Sequence, residues 1–92
     1  MNRKDLVENV ARQAELTATQ AEAAVGAVID GVVGAVAAGD KVSLSGFGTF
    51  EPRHRAARSG RNPQTGEALE IAATVAPAFK PASAFKQAVA EG

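Results

Sequence analysis

The chain has 92 residues, ten basic and ten acidic side chains, no cysteine, and four aromatics, all phenylalanine. That is one domain near the lower limit of what folds alone, without disulfides or thiolate metal sites. No apolar stretch is expected to approach the roughly 20 residues of a membrane span, and no signal-like run follows Asn2-Arg3-Lys4-Asp5, so a soluble, cytoplasmic protein is expected.

Asn2 with Asp5 three residues on marks a helix start. Leu6, Val10 and Ala14, with Val7 and Ala11 beside them, carry an apolar stripe through a first helix over about 3–14. Thr17-Ala-Thr-Gln20 reads as a capping box. Ala21, Val25, Val28, Ile29, Val32 and Val36 then recur at helical steps, giving a second helix closed by Gly39 in the left-handed conformation. The two form a helical hairpin over 3–38. Gly26, Gly31 and Gly34 each weaken that helix by up to about 1 kcal/mol relative to alanine, unless a neighbouring backbone packs closely, as at a dimer interface.

After Asp40 the period falls to 2. Val42 and Leu44 alternate with polar residues as a half-buried strand, and Gly46-Phe47-Gly48 reverses the chain. Thr49 to Arg58 continues as strand, with Pro52 at an edge or where pairing changes. Asn62-Pro63-Gln64-Thr65-Gly66 is a cluster of turn formers. Glu67 to Ala72 returns with Leu69 and Ile71 on one face, and Val75 to Phe79 leads back to the core. Lys80-Pro81 starts a terminal helix, proline being favoured at the first helical position, with Phe85 and Val89 as its contact face. The predicted order is ααβββα in an α+β fold: sheet and arm over 41–79, the arm itself about 53–75, and the last helix over 82–90. Much of the 46% apolar content is alanine, which buries little area. At about 25 cal/mol per Å² such a core has little margin over ordering entropy, so an obligate oligomer is expected.

The neutral total hides a bipolar chain. Residues 1–40 carry three basic and six acidic groups, a net of −3, and residues 41–92 seven and four, a net of +3. Within 53–61 stand Arg53, His54, Arg55, Arg58 and Arg61 with no acid. Local field, not net charge, steers a polyanion. Ten strand residues reach roughly 33 Å, longer than so small a core covers. This hairpin is therefore predicted to project outward, mobile when free, with guanidinium forks suited to phosphate. At its tip Pro63, flanked by Arg61 and Asn62, displays a rigid apolar ring of the kind that wedges between base pairs; a proline there more often serves ordinary turn chemistry, and the wedge reading gains its weight from the arginines around it. His54 is the only histidine, and neither it nor any serine has partners for catalysis or metal binding. No enzyme, cofactor or metal site is read.

Gly46-Phe-Gly-Thr-Phe50, Arg55-Ala-Ala-Arg58, Gly60-Arg-Asn-Pro-Gln-Thr-Gly66, Pro77-Ala-Phe79-Lys80 and Phe85-Lys86 together resemble the signature of the HU/IHF family of bacterial histone-like proteins, over the full length of the chain. The resemblance implies an intertwined homodimer with a helical body and protruding two-stranded β-ribbon arms. Phe47, Phe50 and Phe79 would lie in the shared core, which also takes Leu44, Val32 and Val36. It implies that the arms follow the minor groove of double-stranded DNA, with Arg53, Arg55, Arg58 and Arg61 on backbone or groove floor, Asn62, Pro63 and Gln64 at the tip, and Pro63 intercalated. Arg3, Lys80 and Lys86 would meet phosphates on the body. The expected function is a non-sequence-specific, nucleoid-associated protein that bends and compacts DNA and prefers bent or distorted duplexes, with no small-molecule substrate and no membrane partner. Two rivals are a subunit of a site-selective heterodimeric host factor, and a dimeric scaffold whose basic arm binds an acidic protein or anionic lipid. The chain departs from the family pattern at Glu67, Glu70, Val75 and Ser83, where basic or neutral polar residues are common, which implies a weaker hold on phosphate. It also has Glu15 where glycine is frequent, implying a left-handed residue with a side chain at the end of the first helix.

Overall fold

Asn2 opens the first helix by accepting a hydrogen bond from the Asp5 N–H (2.9 Å), while the Asp5 carboxylate accepts one from the Asn2 N–H (3.2 Å). In this computed structural model, which describes residues 1–92, that helix (α1) spans Arg3–Ala14. It ends on Glu15 in the left-handed conformation, φ 56°, ψ 46°, which the family resemblance implies. Thr17 and Gln20 form the second capping box at 3.0 and 3.1 Å. The second helix, α2, spans Ala18–Ala37. Gly39 follows it at φ 90°, its N–H donating to the Val36 carbonyl at 3.0 Å; a side chain there would be strained.

The chain forms two compact units, Met1–Ala35 and Val36–Gly92. In the first, only Ala21 and Val25 are buried. Val28 and Val33 on α2 are each 62% exposed, and Leu6 and Ile29 are also exposed. A helix with this much uncovered apolar surface needs a partner face. The position a Gly26 side chain would take lies 3.2 Å from the Arg3 guanidinium, not against a backbone, and nothing approaches Gly31 or Gly34 within 4 Å. One expectation is corrected outright: α2 is long and apolar enough, by length and composition alone, to cross a membrane, with a mean hydropathy of 1.4. Its alanines and valines accumulate hydropathy although few are large, and Glu22 and Asp30 are its only charges.

The second unit holds five strands and a helix. β1 (Val42–Leu44), β2 (Gly48–Arg55) and β5 (Thr74–Pro81) form an antiparallel sheet in the order β1-β2-β5. The reversal between β1 and β2 is closed by the Phe47 N–H on the Leu44 carbonyl, 3.0 Å, with Gly46 at φ 77°. Where β2 meets β5 at Gly48, a β-carbon would stand 2.5 Å from the Lys80 carbonyl oxygen and 2.6 Å from the Phe79 ring, so only glycine fits. β1 pairs no further than Phe50, and Pro52 falls beyond it, opposite Pro77. Two prolines share a register without loss only at a pair that exchanges no hydrogen bonds. Pro52 thus marks the change of pairing that the sequence predicts.

Two expectations about this unit are corrected. The strand that begins near Thr49 does not run unbroken to Arg58: β2 stops at Arg55, and β3 (Arg58–Arg61) pairs with β4 (Ala68–Ile71) as a separate two-stranded ladder, giving five strands and not three. Ala56-Ala57 and Ala72-Ala73 occupy the interruption, and alanine offers no cross-strand side-chain contact to hold a pair together. Nor does Pro81 begin the last helix. It closes β5 opposite Gly48, the Ala82 N–H donates to the Phe47 carbonyl at 2.9 Å, and α3 runs Ser83–Glu91.

The four phenylalanines pack as one cluster. Phe50 and Phe79, opposite each other in the β2–β5 ladder, have ring centroids 4.7 Å apart, and Phe47 stacks on Phe85 at 5.3 Å. Phe85 does contact the core as predicted, whereas Val89, expected beside it, is exposed. The cluster is open on one side: Phe47 remains 43% exposed, and Phe79 and Leu44 are exposed as well.

Candidate nucleic-acid interface

The sheet register decides which face each functional side chain takes, because alternate residues of a strand point to opposite sides. In the β2–β5 ladder, Arg53 and Arg55 share a face with Thr49, Glu51 and Lys80, opposite Ala76, Thr74 and Ala78. The other face carries Phe50, Phe79, Pro52, Pro77, His54 and Val75. This ladder is therefore cationic on one side and largely apolar on the other, the apolar side continuing the phenylalanine cluster. In the β3–β4 ladder Arg61 shares a face with Ser59 and Glu70, and Arg58 takes the other, with Gly60, Leu69 and Ile71. The four arginines are strung along the ribbon on both of its faces and do not form one cluster.

Between the ladders the register is unchanged. Arg55 stands opposite Thr74, and three residues further along both strands Arg58 stands opposite Ile71. Neither strand carries an inserted residue, so the interruption is not a bulge but a waist of four alanines in a ribbon that is otherwise in step.

At the tip the turn is fixed by its own hydrogen bonds. The Gly66 N–H donates to the Asn62 carbonyl (2.7 Å), the Asn62 N–H to the Glu67 carbonyl (2.9 Å), and the Gln64 N–H to the Asn62 side-chain oxygen (2.9 Å). Gly66 takes φ 72°. Asn62 is thereby spent on shaping the loop, while Pro63 and Gln64 stay exposed.

From Arg53 to Val75 every residue is exposed except Gly60 and Asn62, which are half-buried. The chain's two ion pairs lie elsewhere, and neither involves an arginine. The guanidiniums of Arg53, Arg55, Arg58 and Arg61 are thus free of internal carboxylates, as a phosphate-binding surface requires. Lys86 on α3 is exposed and unpaired. Arg3 belongs to the first unit, its guanidinium beside Gly26.

Lys80 is different. Its Nζ lies 2.9 Å from Glu51 Oε1, and Lys41 Nζ lies 3.4 Å from Glu51 Oε2. The hydrogen bond from Lys80 is the main cause that lowers the Glu51 carboxyl below its usual value of 4.5, with the Lys80 charge and Lys41 adding and partial desolvation opposing. Sequence reasoning passes over Lys41 and Glu51. Alternation from Thr49 to Arg53 is the available signal for Glu51, but the β5 register that brings Lys80 beside it is not written locally.

Of the residues expected in a dimer core, Phe47, Phe50 and Phe79 come together within one chain and Leu44 lies exposed in the same unit. Val32 and Val36 are half-buried along α2.

A sequence profile described as "Bacterial DNA-binding protein" matches residues 1–90. The chain is 56% identical over 89 residues to DNA-binding protein HU-1 of Halalkalibacterium halodurans, covering 97% of this chain and 99% of that protein. It is 57% identical over 88 residues to DNA-binding protein HU of Lactococcus lactis, covering 96% and 97%. Among solved structures it is similar to HU in the Anabaena HU–DNA cocrystal structure, with a TM-score of 0.88, 48% identity and full coverage of both chains.

Proposed function

The chain belongs to the bacterial DNA-binding protein family, and from that membership we propose that it is an architectural protein that grips and bends duplex DNA as a homodimer, without catalysis. The observation that carries this reading is the arm: an exposed ribbon over 53–75 whose four guanidiniums have no internal partner. Each arginine meets backbone phosphate or the groove floor. The minor groove offers little base identity beyond A·T against G·C, so binding is broad in sequence and set by charge, groove width and deformability. Pro63, held outward by the Asn62 turn, inserts at the tip and keeps the duplex kinked. Smooth bending of a site costs of order 1–6 kcal/mol, so nicked or pre-bent duplexes bind more tightly. Such a protein works in the cytoplasm, on the nucleoid.

The second copy covers the apolar surface that the chain leaves open: Val28, Ile29 and Val33 on α2, and the uncovered side of the phenylalanine cluster. In that dimer both units act as one DNA-binding domain. The same covering accounts for the length and apolarity of α2 without a bilayer.

Fluorescence transfer between dyes at the two ends of a duplex tests the proposal. The protein should shorten the end-to-end distance, and Pro63→Ala should bind with a smaller bend and lose part of the preference for nicked DNA. Binding without any change in end-to-end distance would count against the architectural role.

A further inference from the structure

We propose that Glu51 sets the affinity of this protein for DNA by competing with phosphate for Lys80 and Lys41, holding the foot of the arm's cationic face partly neutral. The inference rests on the reading of the chain as a duplex-DNA binder. The carboxylate bridges the two ammonium groups, one oxygen to each, at 2.9 and 3.4 Å. Its side chain is only 13% exposed, while those of Lys80 and Lys41 are 66% and 70% exposed. The carboxylate is the fixed member, and the lysines are tethered to it.

The register puts this anion where it matters. Glu51 lies on the same face of the ladder as Arg53 and Arg55, and Lys80 stands opposite Thr49 on that face. The chain has only four lysines, Lys4, Lys41, Lys80 and Lys86, and this one carboxylate occupies two of them. A phosphate reaching Lys80 exchanges one anion for another. The cation it releases from DNA is offset by one taken up at the Glu51 carboxylate left behind. Such an exchange adds little affinity and little salt dependence, in contrast to an unpaired lysine, which contributes about 0.9 to the log–log salt slope.

Fluorescence anisotropy on a plain labelled duplex over a range of salt concentrations, with the wild-type protein, Glu51→Gln, and Glu51→Gln combined with Lys80→Gln, tests the idea. Glu51→Gln should bind more tightly at low salt, with a slope steeper by about 0.9 for each lysine that takes up a phosphate. Adding Lys80→Gln should remove much of that steepening. An unchanged slope in Glu51→Gln, or a steepening that survives intact without Lys80, would overturn the proposal, the latter because a general loss of negative charge would then explain it. Absence of duplex binding by all three proteins would overturn the functional reading and this one with it. The unmodified protein gives a reading that needs no folded variant: in a DNA titration followed by NMR of the lysine ammonium groups, Lys86 should shift while Lys80 holds its position, and equal shifts would contradict the proposal.

Discussion

Glu15 shows how much one dihedral angle is worth. A side chain in the left-handed region carries a steric cost of roughly 1–2 kcal/mol, and glycine carries none there. Glu15→Gly is therefore expected to raise the melting temperature, by a few degrees at the rate of about 4–8 °C per kcal/mol for a small domain. A scanning calorimetry trace with an unchanged or lower midpoint would refute this. Glu51 makes a different kind of contribution. Its carboxyl is held below the ordinary glutamate value, chiefly by Lys80, and Arg53 and Arg55 are the other charges on its face of β2. A group whose folded pKa is depressed stabilises the fold above its unfolded value and loses that contribution as pH falls through the folded one. Thermal melts of the wild type and Glu51→Gln should differ near neutral pH and converge below the carboxylate range. A constant gap at every pH would show that the difference is packing. Both helix starts, at Asn2–Asp5 and Thr17–Gln20, are legible in the sequence because each is set within three residues, whereas the left-handed Glu15 is implied only by the family resemblance. The Lys41–Glu51–Lys80 triad is not, because it depends on a pairing between residues almost thirty positions apart.

At the scale of elements, the same division between local and distant signals holds. Helix boundaries, the Gly46–Gly48 reversal and the Asn62–Gly66 turn follow from caps and turn formers. The alanine waist does not: alanine is compatible with a strand, and only the missing cross-strand contacts at two successive pairs end the ladder there. Pro81 misleads because proline suits a first helical position and a strand end equally well, and the sheet claims it through its pairing with Gly48. The waist is expected to let the tip ladder swing as a unit without changing register. Replacing Ala57 and Ala72 with valine adds a β-branched cross-strand pair worth roughly 0.2–1 kcal/mol. Amide hydrogen exchange in the tip ladder should slow in that variant. Unaltered exchange would mean that the waist is not the weak point of the arm.

At the scale of the whole molecule, one argument joins stability to function. A chain with two buried apolar residues in its first unit and a half-open phenylalanine cluster in its second has not finished burying its core, and the proposed second copy would complete it. In the proposed dimer two arms would reach one duplex, so that two weak grips act together. The neutral total charge is no obstacle, because six of the ten acidic groups lie in residues 1–40 and four of the six arginines lie in the arm. Sequence alone discloses this division of labour through the acid-free run from Arg53 to Arg61. It does not disclose that the arginines divide between two faces, since that depends on the pairing of β3 with β4.

The dependence of duplex affinity on salt, compared between the wild type and the Arg55→Ala, Arg58→Ala double variant, tests the central claim most directly. If the arm's free guanidiniums grip phosphate, the variant should bind every sequence more weakly, with a log–log slope shallower by about 0.9 for each phosphate that is no longer neutralised. Parallel lines of equal affinity would mean that the arm does not hold the DNA.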